Sequence, residues 1–140
     1  MNKILLIITG SIAASRCKEI IALLNINEVK ISCILTKEAK KYVKISDIKK
    51  LLKNRIFTDE DEKKNKMLHI NLSRDNDLIV VCPATANSIA KFANGYGDNL
   101  ASNTLLASNK KILFVPAMNS FMWHNKINQK NVRLLKDNGH

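Results

Sequence analysis

A chain of 140 residues is the size of one domain, able to bury roughly two-thirds of its unfolded surface in a single core. Its 46% hydrophobic and 25% charged residues are ordinary for a globular protein, and no apolar run nears the roughly 20 residues that a bilayer span needs, so no membrane partner is expected. The net charge of +11 suggests a polyanion, yet Arg16, Arg55, Arg74 and Arg133 are the only arginines and aromatics are 5%, too few for base reading and stacking; nucleic acid is set aside. The lysines read as a solvated surface whose field favours a small anionic ligand.

Lys3 to Ile8 reads as a strand buried on both faces, closed by Thr9-Gly10-Ser11. Ala13, Cys17, Ile20, Ile21 and Leu24 then fall on one helical stripe. Gly10-Ser11-Ile12 is therefore a strand-to-helix turn, with a glycine for close approach and a hydroxyl at the cap. That geometry suits a phosphate, although Gly-Ser before a helix also serves as a plain cap. Val29 to Leu35 is a second strand. Thr36 follows it, either capping the next helix or offering a hydroxyl at the same edge. The apolar positions between Lys37 and Lys53 fit one or two short amphipathic helices broken near Ser46-Asp47, and the polar run from Asn54 to Lys66 reads as a loop.

Met67-Leu68-His69-Ile70 restores apolar character ahead of the run Leu78-Ile79-Val80-Val81-Cys82. This is the central strand, and Pro83 is expected to stop it because proline cannot donate to a ladder. Ala84-Thr85-Ala86-Asn87 then leads into a helix carrying Ile89, Ala90 and Ala93. After a turn at residues 94–99 comes a helix from Leu100 to Ala107 and a fourth strand from Lys111 to Val115. Pro116-Ala117-Met118-Asn119 repeats the ending of the central strand, so Thr85, Asn87 and Asn119 should reach one cleft. A last helix from Asn125 is expected to turn Ile127, Val132 and Leu135 inward, with Gly139 as its C-cap glycine. This alternation predicts a single α/β domain with a doubly wound parallel sheet. In such folds ligands bind outside the carboxyl ends of the strands.

Cys17, Cys33 and Cys82 are odd in number, widely spaced and set among apolar residues, as buried thiols are in a reducing, cytoplasmic setting. No GxSxG, HExxH, Walker loop or metal-ligand spacing occurs, so no metal is expected. The residues alone lead to an α/β domain binding a phosphorylated cofactor, with His69 either a structural hydrogen-bonder or a catalyst.

The motifs Gly10-Ser11-Ile12-Ala13-Ala14, Met67-Leu68-His69-Ile70, Pro83-Ala84-Thr85-Ala86-Asn87 and Pro116-Ala117-Met118-Asn119 occur in one order. Met122-Trp123, Asn125, Gln129 and Asn131 follow them. Together they resemble the homo-oligomeric flavin-containing cysteine decarboxylases, over essentially the whole chain. The resemblance implies a Rossmann-like, flavodoxin-like three-layer fold, FMN as cofactor, and a homotrimer or dodecamer with flavin near subunit contacts. It also implies decarboxylation of 4'-phosphopantothenoylcysteine towards 4'-phosphopantetheine in coenzyme A biosynthesis.

Carried over by motif, Gly10, Ser11, Ile12 and Thr36 would hold the FMN phosphate and ribityl chain, and Pro83, Ala84, Thr85, Asn87 and Met118 would line the flavin. His69 would be the base, and Asn119, beside Ala117, would bind the substrate carboxylate. The chemistry fits these types, since a β-thiol acid loses CO₂ readily once its thiol carbon is oxidised to a thioaldehyde.

Family members continue into a substrate flap with a Pro-x-x-Gly-x-Leu-Ala-Cys-Gly motif, whose cysteine returns a proton. This chain stops at His140, and none of its cysteines lies in such a motif. Residues 1–140 are thus expected to form the FMN-binding domain without that flap. Three readings stay open: an FMN-dependent decarboxylase, a non-catalytic FMN-binding subunit or regulator, and a flavin prenyltransferase. The Pro116–Asn119 motif with His69 points away from the last.

Overall fold

The structure is a computed structural model and describes residues 2–53 and 55–140. Strands Lys3–Ile8 (β1), Lys30–Leu35 (β2), Ile56–Phe57 (β3), Leu78–Ala84 (β4) and Ile112–Pro116 (β5) form one sheet in the order β3-β2-β1-β4-β5. Every pairing is parallel. The chain leaves β1 in one direction to build β2 and β3, then returns to place β4 on the other side of β1. The strand order thus reverses between β1 and β4, and such a switch point opens a crevice at the carboxyl edge.

Alternation along β1 divides the core. Leu5 and Ile7 face the helices Leu68–Asp75 (α4), Ala86–Ala93 (α5), Leu100–Leu106 (α6) and Lys126–Asp137 (α8). Leu6 and Ile8 face Cys17–Ile26 (α1) and Ile45–Leu52 (α2). All four strand residues are at most 1% exposed. Burying each contributes about 1.5–3 kcal/mol relative to exposure, so a register slip of one residue would be costly. The result is the expected three-layer, flavodoxin-like α/β domain, with two further short helices, Asp59–Lys64 (α3) and Ser120–His124 (α7).

Several local expectations change. The first helical segment opens as a 3-10 turn, Ile12–Arg16, before α1. Ser46 and Asp47 lie inside the first turn of α2 and do not break it, and Asp47 there complements the helix dipole. The polar stretch read as a loop holds β3 and α3, apart from Asn54, which lies outside the described residues. β3 pairs with β2 through Cys33–Ile56 and Ile34–Phe57 alone. A strand that short leaves no periodic signal. α3 is set by a capping box: Thr58 N–H donates to Asp61 Oδ2 at 2.8 Å, and the Thr58 side chain accepts from the backbone of Asp61.

Pro83 does not end β4. The β1 ladder stops at Val81, and the β5 ladder shifts register between Val81 and Ala84. The missing N–H of Pro83 therefore falls in a bulge where no donor is needed. Ile127 is 73% exposed, contrary to its expected inward position, while Val132 packs on the core and Leu135 is buried. Gly139, at φ +87°, sits just past α8, donating to Lys136 O while His140 N–H donates to Leu135 O, a glycine-capped helix end. Cys17, Cys33 and Cys82 are free and buried, and burial pushes the Cys33 thiol up.

Candidate functional site

The turns after β1, β2, β4 and β5 converge on a cavity of about 600 Å³ at the switch point. Backbone bonds hold them together. The N–H of Thr36 donates to Ile8 O at 3.2 Å, tying the turn after β2 to the end of β1. The Thr9 hydroxyl donates to Pro83 O, joining β1 to β4, and Ala117 N–H donates to Ala84 O at 3.1 Å, joining β4 to β5. Gly10 is required by this closeness. A Cβ added there would lie 2.4 Å from Glu38 Cβ and 3.0 Å from the Glu38 carbonyl carbon.

The polar groups on the wall already act as caps. Ser11 Oγ accepts from Ala13 N–H at 3.2 Å, Thr36 Oγ1 from Ala39 N–H at 3.3 Å, and Thr85 Oγ1 from Ser88 N–H at 3.1 Å. For Ser11 and Thr36 the cap and ligand roles are compatible. A hydroxyl has one proton and two lone pairs, so accepting a bond from the backbone leaves the O–H able to donate. The first turn of α5 also faces the cavity through Ala86, Asn87 and Ser88, and the N–H groups of Ala86 and Asn87 there lack intrahelical partners. Val81, Phe92, Leu105, Met118 and Met122 supply the apolar part of the lining.

Of the residues singled out in the sequence, Gly10, Ser11, Thr36, Thr85, Asn87, Ala117 and Met118 meet on this cavity. Pro83 and Ala84 are buried in β4 and do not line it. Ile12, at 80% exposure, is not part of its lining. Asn119 is exposed at the N-cap of α7, where its Oδ1 accepts from Met122 N–H at 2.9 Å. His69 stands in the first turn of α4, outside the cavity lining, with Nδ1 2.9 Å from Glu62 Oε1.

Residues the sequence did not single out complete the wall. Lys91 Nζ lies 2.7 Å from Asp98 Oδ2, and this contact holds the Asp98 carboxyl below the usual carboxylate range. Asn99 and Ser102 form the capping box of α6, and Asp59 Oδ1 accepts from Leu100 N–H at 3.0 Å, bringing α3 to the same end. Asn99-x-x-Ser102 is a readable cap signal. The Lys91–Asp98 pairing spans a turn and becomes visible only in three dimensions. Among the described residues, no group of three His, Cys, Asp or Glu side chains is placed to hold a metal.

The donor set fits FMN. Ser11, Thr36 and the amides opening α5 match a phosphate and its hydroxylated chain, and the volume lies in the range of cofactor pockets. The apolar wall matches a flat heteroaromatic ring.

Comparison with known proteins agrees with this geometry. The family described as Flavoprotein matches residues 1–140. A probable phosphopantothenoylcysteine decarboxylase of Streptococcus mutans is 32% identical over 99% of this chain and 80% of its own. Epidermin decarboxylase of Staphylococcus epidermidis is 34% identical over 98% of this chain and 74% of its own. Among solved structures, the FMN-dependent cysteine decarboxylase SpaF superposes with a TM-score of 0.92 at 30% identity, over 99% of this chain and 81% of that one. With the whole chain matched and identity above 30% over nearly its full length, the chain belongs to the Flavoprotein family.

Proposed function

We propose that this protein binds FMN and decarboxylates a cysteine-derived acid, 4'-phosphopantothenoylcysteine, towards 4'-phosphopantetheine in coenzyme A biosynthesis. The observation that carries the reading is the meeting of Gly10-Ser11, Thr85–Ser88 and Ala117-Met118 on one cavity at the switch point. Similarity to a probable phosphopantothenoylcysteine decarboxylase supports the substrate. The chemistry FMN supplies when bound is two-electron oxidation of the thiol-bearing carbon, after which CO₂ leaves readily.

The chain's own residues do the rest. Ser11, Thr36 and the first amides of α5 would hold the phosphate, while Met118 and Leu105 would line the ring's side of the cavity and exclude water. His69 takes the proton of the substrate thiol. Asn119 has its Oδ1 committed to Met122, which leaves the donor Nδ2 for the substrate carboxylate. A neutral amide orients that group without a positive charge that would resist its loss as CO₂. Ile12 borders the phosphate turn, and Pro83 and Ala84 support the flavin wall from within β4.

His69 and Asn119 stand outside the cavity of the single chain, and Ile12, Phe121 and Ile127 are exposed at 80%, 90% and 73%. Both features support a homotrimer, or a dodecamer of trimers, whose contacts complete the site. Three free, buried thiols support a reducing, cytoplasmic setting. A second reading, a C-terminal peptidyl cysteine as substrate, is favoured by the similarity to EpiD, a peptidyl-cysteine decarboxylase solved with the substrate peptide DSYTC.

The test is to add FMN, record the visible spectrum and thermal shift, and follow CO₂ release from 4'-phosphopantothenoylcysteine and from a peptide ending in cysteine. Flavin bands, turnover of the first substrate, and a loss of roughly 100-fold or more in His69→Asn with FMN retained are expected. Colourless protein with no thermal shift overturns the proposal. Turnover of the peptide alone selects the second reading.

A further inference from the structure

The acidic segment Asp59-Glu60-Asp61-Glu62 forms most of α3, and three of its carboxylates have local tasks. Asp59 caps α6 through Leu100 N–H, Glu60 pairs with Lys63 at 2.9 Å, and Asp61 closes the Thr58 box. Glu62 differs. Its side chain is only 19% exposed, and its two oxygens accept from Asn103 Nδ2 at 3.2 and 3.4 Å. Oε1 also lies 2.9 Å from His69 Nδ1. That nitrogen is buried and has no aligned hydrogen-bond partner, so the pair has the distance of a hydrogen bond without its angle. A small turn of the ring or of the carboxylate would align it.

We propose that Glu62 is a positioning residue for His69: it fixes the imidazole with its proton on Nδ1 and its lone pair on Nε2. The proposal rests on the reading of His69 as the group that takes the substrate's thiol proton. A neutral imidazole can carry its proton on either nitrogen, and the hydrogen bond made by one decides the state of the other. With Nδ1–H donated to Glu62, Nε2 is the acceptor. The thiol S–H bond breaks, an Nε2–H bond forms, and the resulting imidazolium faces a carboxylate that steadies its charge. Asn103 has the supporting role: its two bonds hold Glu62 between α6 and α4, so the carboxylate keeps its direction while the ring changes charge.

The experiment reads the tautomer directly, from long-range proton–nitrogen NMR correlations of His69 in the FMN-loaded protein, beside kcat and KM. Wild type is expected to hold the Nδ1–H form. Glu62→Ala should move His69 to the Nε2–H form and lower kcat about 10- to 100-fold, with KM within about twofold, as loss of a ligand's supporting partner does elsewhere. Glu62→Gln keeps an acceptor oxygen, so it should keep the tautomer yet lose part of kcat with the charge. Thr58→Ala weakens α3 at its far end and should leave the tautomer as in wild type. An unchanged tautomer and kcat in Glu62→Ala overturn the proposal. A tautomer change in Thr58→Ala equal to that in Glu62→Ala also overturns it, because Glu62 would then act only by anchoring the helix. If Glu62→Ala fails to fold, Glu62→Gln decides: a kcat equal to wild type overturns the proposal. Full turnover by His69→Asn would instead remove the role of His69 as base, while the NMR result would still report on the pair itself.

Discussion

The two walls of the cavity are built differently. On the β1–β4 side, Gly10 touches Glu38, the hydroxyls of Ser11, Thr36 and Thr85 are caps, and backbone bonds bind adjacent turns. On the β5–α7 side, Leu113 and Val115 are 51% and 40% exposed, and Phe121 is 90% exposed. The first wall is bonded together within one chain, and the residues proposed to bind FMN there also hold the turns in place. The second contributes Ala117, Met118 and Met122 to the lining and carries Asn119 just outside it, at the N-cap of a short helix with no buried residue. A cofactor phosphate needs geometry that no motion disturbs, which is why we propose that it sits on the first wall. A substrate that must enter and leave suits the second. Damage to the first wall should therefore cost both stability and binding, and damage to the second should cost function or assembly alone.

The largest effect is expected at Gly10. Gly10→Ala puts a methyl 2.4 Å from Glu38 Cβ and 3.0 Å from backbone, so the turns after β1 and β2 must separate. Overpacking of this kind costs about 1–3 kcal/mol. Because the same turns are proposed to hold the phosphate, FMN affinity should fall roughly tenfold or more, a loss of about 1.4 kcal/mol for each factor of ten. Thermal melts and an FMN titration measure the two together. A stable variant with intact affinity would break the coupling between folding and binding on this wall.

Thr85→Ala should come next. It removes the cap bond to Ser88 N–H, which costs about 1 kcal/mol in denaturant unfolding, and loosens the first turn of α5 at the cavity. Ser is the sharpening control, because Thr85→Ser keeps the cap oxygen and should recover most of both losses.

Much of the first wall was legible in the sequence, and the reasons are local. Ile4 to Ile8 and Leu78 to Cys82 are continuous apolar runs, as strands buried on both faces must be, and each ends in small and polar residues. What escaped depends on contacts distant in sequence or on signals too short to read. β3 has two residues and exists because β2 lends it a partner. Pro83 stays in β4 because both neighbouring ladders have finished or shifted by that point, a fact about β1 and β5 and not about proline. Glu62 sits in a charged run that looks wholly solvated, and only the packing of α3 against α4 and α6 turns its carboxylate towards His69 and Asn103. Elements and caps were legible where the backbone leaves a local signal, and missed where a side chain meets another side chain distant in sequence.

A smaller effect is expected at the rim. The Asp98 carboxyl is held low chiefly by its bond to Lys91, so it is deprotonated more easily folded than unfolded. The stabilisation is present above the ordinary carboxylate pKa and fades as pH falls through the lowered folded value. The two side chains are 49% and 31% exposed, so solvent screening limits the pair to about 0–1 kcal/mol. Asp98→Asn should therefore lose a few tenths of a kcal/mol at pH 7 and converge with wild type as the pH falls through the lowered folded value. Parallel urea curves at pH 7 and pH 3 check this, and a gap that widens in acid would reverse the sign argued here.

The smallest effect on folding is expected at Phe121, and it tests the second wall. Its ring is 90% exposed on α7 and buries almost nothing within its own chain. Phe121→Asp should therefore change unfolding free energy by no more than about 0.5 kcal/mol, as surface substitutions usually do. If the proposed trimer covers this face, the same change puts a charge into an apolar contact and should shift the mass measured by light scattering towards the monomer. FMN bound to the dissociated chain should still be detectable, because the groups proposed to hold its phosphate are all on the first wall. A substitution that unfolds the chain would mean that α7 is packed within the subunit after all. One that leaves both stability and mass unchanged would place the subunit contact elsewhere. Loss of flavin along with association would show that the first wall alone does not retain the cofactor, and the division of labour between the two walls would fall.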